Sequence, residues 1–257
     1  LLVLVSPNPM HDTGGGQRSA QLALEFLERG WAVLFLSHGE VTETVELDLT
    51  FDAQRLVERP LGQLAALGGR RILVRWLARI LQAEPVPVLG VVQVPVPEAM
   101  PLLRALREVG VAVYDCIDEW DSELGWGWYR RGTERRFART ADFGTASAPV
   151  LQTQLERLGA SAVHALPNAF NPRIFDSQRT WPRPGDLPPG DAVLYVGSLW
   201  GGWMHWALVE RIARRHSELN FVFIGDHRGE GDGLPPNCHF LGLKPQHGGH
   251  EATTLGV

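Results

Sequence analysis

The sequence is poor in cysteine, in basic charge and in long apolar runs, and each shortage removes a class of protein. Its 257 residues include two cysteines, Cys116 and Cys238, far apart and not in a CxxC pair. That leaves neither a disulfide framework nor a zinc site, and it fits a reducing, cytoplasmic compartment. Acidic residues outnumber basic ones, 29 against 24, for a net charge of -5. Without surplus Lys and Arg to neutralise phosphates, no general attraction to nucleic acid or to an anionic membrane follows. The local exception is Arg130, Arg131, Arg135, Arg136 and Arg139, which reads as the solvated face of a helix. No apolar run reaches the roughly 18 residues that cross a bilayer. The opening run Leu1 to Val5 lacks the basic flank of a signal peptide, and the missing initiator Met suggests a start inside a longer reading frame. The nine histidines include no HExxH or similar spacing, so no protein-bound metal is expected. Neither GxGxxG nor a P-loop Lys follows the first apolar run, which disfavours an NAD-dependent enzyme or an NTPase.

Present instead is an alternation of short apolar runs with amphipathic stretches, the pattern of parallel strands joined by crossover helices. Strands are predicted at Leu1 to Val5, Ala32 to Leu36, Val88 to Val92, Val111 to Tyr114 and Val163 to Leu166. Ala20, Ala23, Leu24 and Leu27 share one helical face that ends at Gly30. Ala99, Leu102, Leu103 and Leu106 mark a second helix, and Val150, Leu151, Leu155 and Leu158, stopped by Gly159, a third. Val41 to Arg79 is expected to be mostly helix. The segment from Asp176 to Gly190 has four prolines and no periodic pattern, the composition of a linker. Beyond it come strands at Ala192 to Val196, Phe221 to Ile224 and Cys238 to Leu241, with a helix carrying Leu208, Val209, Ile212 and Ala213. The expected class is therefore α/β with two Rossmann-like lobes. Residues 1–175 form the first, 176–190 the linker and 191–257 the second, which is incomplete because too few residues follow Gly190 for a full doubly wound sheet. The polar tail His247 to Val257 is expected to be poorly ordered.

Two loops carry candidate chemistry. SPNPMHDTGGGQR joins the first strand to its helix, and Gly14, Gly15 and Gly16 allow a backbone to approach a ligand at a helix N-terminus, which favours anionic or polyhydroxyl groups. A flexible strand-to-helix turn is the plain alternative. His11 beside it could contact substrate or simply lie on the surface. Asp115, Asp118, Glu119 and Asp121 follow another strand, at the edge where open α/β sheets hold ligands, and a carboxylate there can take a proton from an acceptor hydroxyl. A capping, solvated acidic loop is the alternative. The indoles of Trp120, Trp126, Trp128, Trp200, Trp203 and Trp206 can stack on sugars or lipids, but core packing is the better explanation for a stripe at helical spacing.

In their order along the chain, GGGQR, D-x-x-D-E-W at Asp115 to Trp120, ADFGTASAPVLQTQL, LPNAFNPRIF, VLYVGSLWGGW and FVFIGD resemble the GT-B glycosyltransferases of the retaining family 4 type. The resemblance implies two lobes facing a cleft, the acceptor mainly on the first and a nucleotide-diphosphate sugar mainly on the second. It implies transfer to a glycan or lipid-linked acceptor, as in polysaccharide biosynthesis, without a metal or other cofactor. It also implies a cytoplasmic setting with peripheral contact at the inner membrane face. By it, His11, Gly14, Gly15, Gly16, Arg18 and Asn168 would lie near substrate, Asp115 and Asp118 would line the acceptor side as catalytic groups, and Gly197, Ser198, Gly225 and Asp226 would approach the donor. Such enzymes carry an Arg and Lys pair soon after the first donor-lobe strand, and VGSLWGGWMHW has neither. Their later E-x7-E element would fall beyond Val257, so a C-terminally truncated chain that only binds acceptor or nucleotide is the second expectation.

Overall fold

The computed structural model describes residues 1–10, 17–39, 53–66, 86–172, 178, 180, 182–231 and 233–244. They form two units, the first running to Ala169 and the second starting at Phe170.

The first unit is built on a fully parallel sheet of seven strands: β1 (Leu2–Ser6), β2 (Val33–Ser37), β3 (Leu56–Pro60), β4 (Leu89–Val92), β5 (Val111–Cys116), β6 (Phe143–Ala146) and β7 (Val163–Ala165), in the order β3-β2-β1-β4-β5-β6-β7. Its central strands are apolar along their length because helices cover both faces. Leu4, Phe35 and Leu36 have no exposure, and such burial is worth about 1.5–3 kcal/mol for each side chain. The helices are α1 (Arg18–Glu28), α2 (Leu61–Ala66), α3 (Met100–Val109), α4 (Arg131–Thr140) and α5 (Pro149–Leu158). The face of α1 buries Ala20, Ala23, Leu24 and Leu27, as the spacing predicts. Pro149 opens α5, and Gly159 closes it at φ 91, its N–H donating to the Leu155 and Glu156 carbonyls.

Two strands depart from the sequence reading. Part of the stretch expected to be mostly helix is β3, an edge strand with alternating exposure, paired with β2 from Val33↔Leu56 to Ser37↔Pro60. An edge strand needs apolar residues on one face only, and Pro60 at its end costs no ladder bond. β6 is buried through small residues, Gly144, Thr145 and Ala146, so it lacks an apolar run. The same stretch does hold the short helix α2 and a helical turn at Ala53–Arg55, while residues 41–52 and 67–79 and the tail from His247 lie outside the described residues.

The second unit has a parallel sheet of three strands, β8 (Ala192–Val196), β9 (Asn220–Ile224) and β10 (Cys238–Gly242), in the order β10-β9-β8, with α6 (Trp206–Arg215) joining the first two. Leu199, Ala213, Phe221 and Phe223 form its core, and Trp206, Phe223 and Phe240 pack ring to ring. Asn237 donates to the Ala213, His216 and Leu219 carbonyls and so satisfies the end of α6. Edge strand β8 leaves Val193, Leu194, Tyr195 and Val196 exposed. Among the described residues, no helix is long and apolar enough to cross a membrane.

Candidate functional site

In the first unit the strand order reverses between β1 and β4, and their carboxyl ends define the switch point at which open sheets bind ligands. A polar network spans that edge. Asp115, near the end of β5, is 1% exposed. Its Oδ2 accepts from Arg18 Nε at 2.9 Å and Gln93 Nε2 at 2.9 Å; its Oδ1 accepts from Arg18 Nη2 at 3.0 Å and Thr145 Oγ1 at 2.6 Å. A carboxylate with four donors and a bidentate guanidinium is fully engaged, so it fixes Arg18 in place. The remaining nitrogen, Arg18 Nη1, donates to the Pro167 carbonyl at 3.3 Å and Asn168 Oδ1 at 3.2 Å. Ser19 then donates to Gln93 Oε1, tying α1 to the end of β4. Arg18, Asp115 and Asn168, each singled out in the sequence, thus meet in one cluster, while Gln93, Ser19 and Thr145 join it unanticipated. For Gln93 the available signal was an amide inside the apolar run VVQV, since a buried polar group needs partners.

The loop after β5 has a different character. Asp118 is exposed on the surface of the loop, yet the protein atoms crowded around its carboxyl desolvate it and raise its pKa above the usual carboxylate value. Among the described residues its carboxylate has no hydrogen-bond donor, unlike that of Asp115. Next to it, Trp120 is buried with its indole Nε1 unpartnered among the described residues, its ring 5.4 Å from that of Trp128. Trp128 in turn meets His38 at 5.6 Å. Burial lowers the His38 pKa, against a smaller opposing pull from Glu98. Trp126 in the same loop is 87% exposed.

The loop is anchored from below by Glu134 of α4, which has no exposure. Its carboxylate accepts from Tyr114 Oη at 3.0 Å, Tyr129 Oη at 2.8 Å and Gln154 Nε2 at 3.1 Å. Burial, reinforced by that carboxylate, pushes the Tyr114, Tyr129 and Cys116 pKa values up. Nothing in the sequence marked Glu134, which falls within an arginine-rich helix.

In the second unit Gly197 follows β8 at φ 148 and Gly225 follows β9 at φ 147. A Cβ on Gly225 would stand 2.0 Å from the Gly197 carbonyl oxygen, so the two strand ends touch only because this residue is glycine. Ser198 follows Gly197, and its carbonyl accepts from Tyr195 Oη at 3.2 Å. Asp226 accepts from the backbone N–H of Arg228 at 3.1 Å and from its Nε at 3.0 Å. His11, Gly14, Gly15 and Gly16 lie outside the described residues; at the flanks of their loop, Asn8 Nδ2 donates to Gln17 Oε1 at 2.7 Å. Among the described residues no three His, Cys, Asp or Glu side chains gather where they could hold a metal ion.

No family model and no curated protein sequence matches the chain. Solved structures do. The Anabaena protein HepE in complex with UDP-glucose is similar at 16% identity over 95% of this chain and 70% of that one, with a TM-score of 0.54. A glycosyltransferase from Rickettsia africae is similar at 12% identity over 94% and 68%, with a TM-score of 0.56. An α-glucosyltransferase in complex with UDP and a mismatched DNA 13-mer is similar at 13% identity over 93% and 65%, with a TM-score of 0.58. The fold is GT-B. Within the GT-B fold the seven-stranded sheet is the first Rossmann-like unit, and the sheet of β8, β9 and β10 belongs to the second.

Proposed function

We propose that this chain is a glycosyltransferase of the family 4 type that moves a sugar from a nucleotide-diphosphate donor to a glycan or lipid-linked acceptor, with retention, in polysaccharide biosynthesis. Two parallel sheets, one with a polar cluster at its switch point and one whose strand ends meet at Gly197 and Gly225, carry the reading. It is supported by similar structures bound to UDP or UDP-glucose. Unit two would hold the donor at Gly197, Ser198, Gly225 and Asp226, without a metal. Unit one would take the acceptor along Arg18, Asn168 and the loop after β5, with His11 and Gly14 to Gly16 beside it.

In the reaction an acceptor hydroxyl oxygen bonds to the anomeric carbon, the bond from that carbon to the diphosphate breaks, and the hydroxyl proton leaves. Of the two aspartates proposed on the acceptor side, Asp115 already accepts four hydrogen bonds and positions Arg18. Asp118, whose raised pKa marks a stronger base, would receive the proton. Exposed Trp126, with Arg130 and Arg131 just beyond it, would meet a lipid-linked acceptor at a membrane face.

The test offers UDP-, GDP- and dTDP-sugars with glycan and lipid-linked acceptors to the 257-residue chain, with and without EDTA, and follows nucleoside diphosphate release. Release from one donor, unaffected by EDTA, is expected; no release from any donor counts against a transferase. Donor binding without release would fit the second reading, a chain that binds donor or acceptor without turnover. The lack of any Lys or Arg from Val193 to Val209 favours that reading.

A further inference from the structure

A nucleotide sugar presents a diphosphate with at least two negative charges, and a site that binds it needs donors or cations already aimed at those oxygens. The segment after β8 supplies no cation, since Val193 to Val209 contains neither Lys nor Arg. The loop after the neighbouring strand β9 does. We propose that Arg228 is the diphosphate clamp of the second unit; this rests on the donor-binding role proposed for that unit.

Four observations converge on this residue. Its guanidinium carbon stands 3.9 Å from the ring centroid of Trp200, so an aromatic group from the β8 loop fixes the plane of a cation from the β9 loop. Its Nε donates to Asp226 Oδ2 at 3.0 Å, which fixes its rotation within that plane. The guanidinium has five N–H donors and Nε is only one of them. Both Nη groups therefore remain without a partner among the described residues, a free fork matched to two phosphate oxygens. Finally, Arg228 adopts φ 48, and it is the sole non-glycine residue with positive φ among those described. A side chain held in that region costs free energy, and such strain collects where a ligand is gripped.

Asp226 does not cancel the clamp. The pair is exposed, 56% on the arginine and 45% on the aspartate, where solvent screens its attraction. The Asp226 carboxylate is turned to the Nε edge and the Arg228 backbone N–H. Glu230, also nearby in the chain, is occupied by the Gly201 N–H and Trp206 Nε1.

Calorimetric titration of the 257-residue chain with UDP, GDP and dTDP, and with the matching nucleosides, tests the assignment. Arg228→Gly is the informative variant, because glycine accepts φ 48 and only the side chain is lost. Loss of charge-assisted hydrogen bonds should weaken the preferred diphosphate about 10- to 100-fold and leave its nucleoside unchanged. Arg228→Lys should recover only part, since a point charge replaces the fork. Raising NaCl should weaken diphosphate binding to the wild type more than to the glycine variant. If wild type and Arg228→Gly bind the diphosphate within twofold of each other, the clamp is refuted while the donor-binding reading stands. If the wild type binds none of the three diphosphates, both fail.

Discussion

Asp115→Ala is expected to destabilise the first unit by about 3–5 kcal/mol, the cost of leaving one partner of a buried ion pair uncompensated. The Arg18 side chain is 12% exposed, so a guanidinium stripped of its carboxylate cannot simply turn to water. Gln93 and Thr145 lose an acceptor in the same step. For a unit of this size each kcal/mol lowers the melting temperature by about 2–4 °C, which puts the fall at roughly 6–20 °C. Removing both charges should hurt less than removing one: Arg18→Met combined with Asp115→Asn is expected to unfold at a higher denaturant concentration than Asp115→Ala alone. An Asp115→Ala protein with the wild-type midpoint would mean that the cluster at the switch point does not hold the unit together.

The second large effect concerns turnover. Asp118→Asn is expected to lower kcat about 10²- to 10⁴-fold, the usual contribution of a positioned proton acceptor, with little change in donor KM. The variant should fold normally. A carboxyl whose folded pKa is raised is less stable when ionised, so Asp118 costs stability as pH rises from its unfolded to its folded value, and asparagine removes that cost. In the wild type, kcat should fall as pH drops through the raised pKa of Asp118, and this acid limb should vanish in the variant. A variant with full kcat and only a weakened acceptor KM would show that the leaving diphosphate takes the proton.

Strands buried on both faces announced themselves as apolar runs, so β1, β2, β4, β5 and β9 were legible to within about a residue or two, an ordinary margin for element ends, and β8 was legible from its apolar run although its side chains are exposed. β3 and β6 were not, because one hides a polar face at the sheet edge and the other packs through Gly144 and Ala146. The site divides in the same way. Arg18, Asp115 and Asn168 could be picked out by motif, yet their contact could not: 97 residues separate Arg18 from Asp115, and 150 separate it from Asn168. Only the strand order brings such distant positions to one edge. Glu134 and Arg228 were invisible for a further reason. One is an acid within a basic helix and the other a lone cation in a glycine-rich loop, and what distinguishes each is its partners, Tyr114 and Tyr129 for the first, Trp200 and Asp226 for the second.

The most direct test of a donor site in the second unit is hydrogen exchange of the 257-residue chain with and without saturating nucleotide sugar. Slowed exchange is expected at the amides of Gly197 to Gly201 and Asp226 to Gly229. Unchanged exchange across both loops with UDP-, GDP- and dTDP-sugars alike would contradict it.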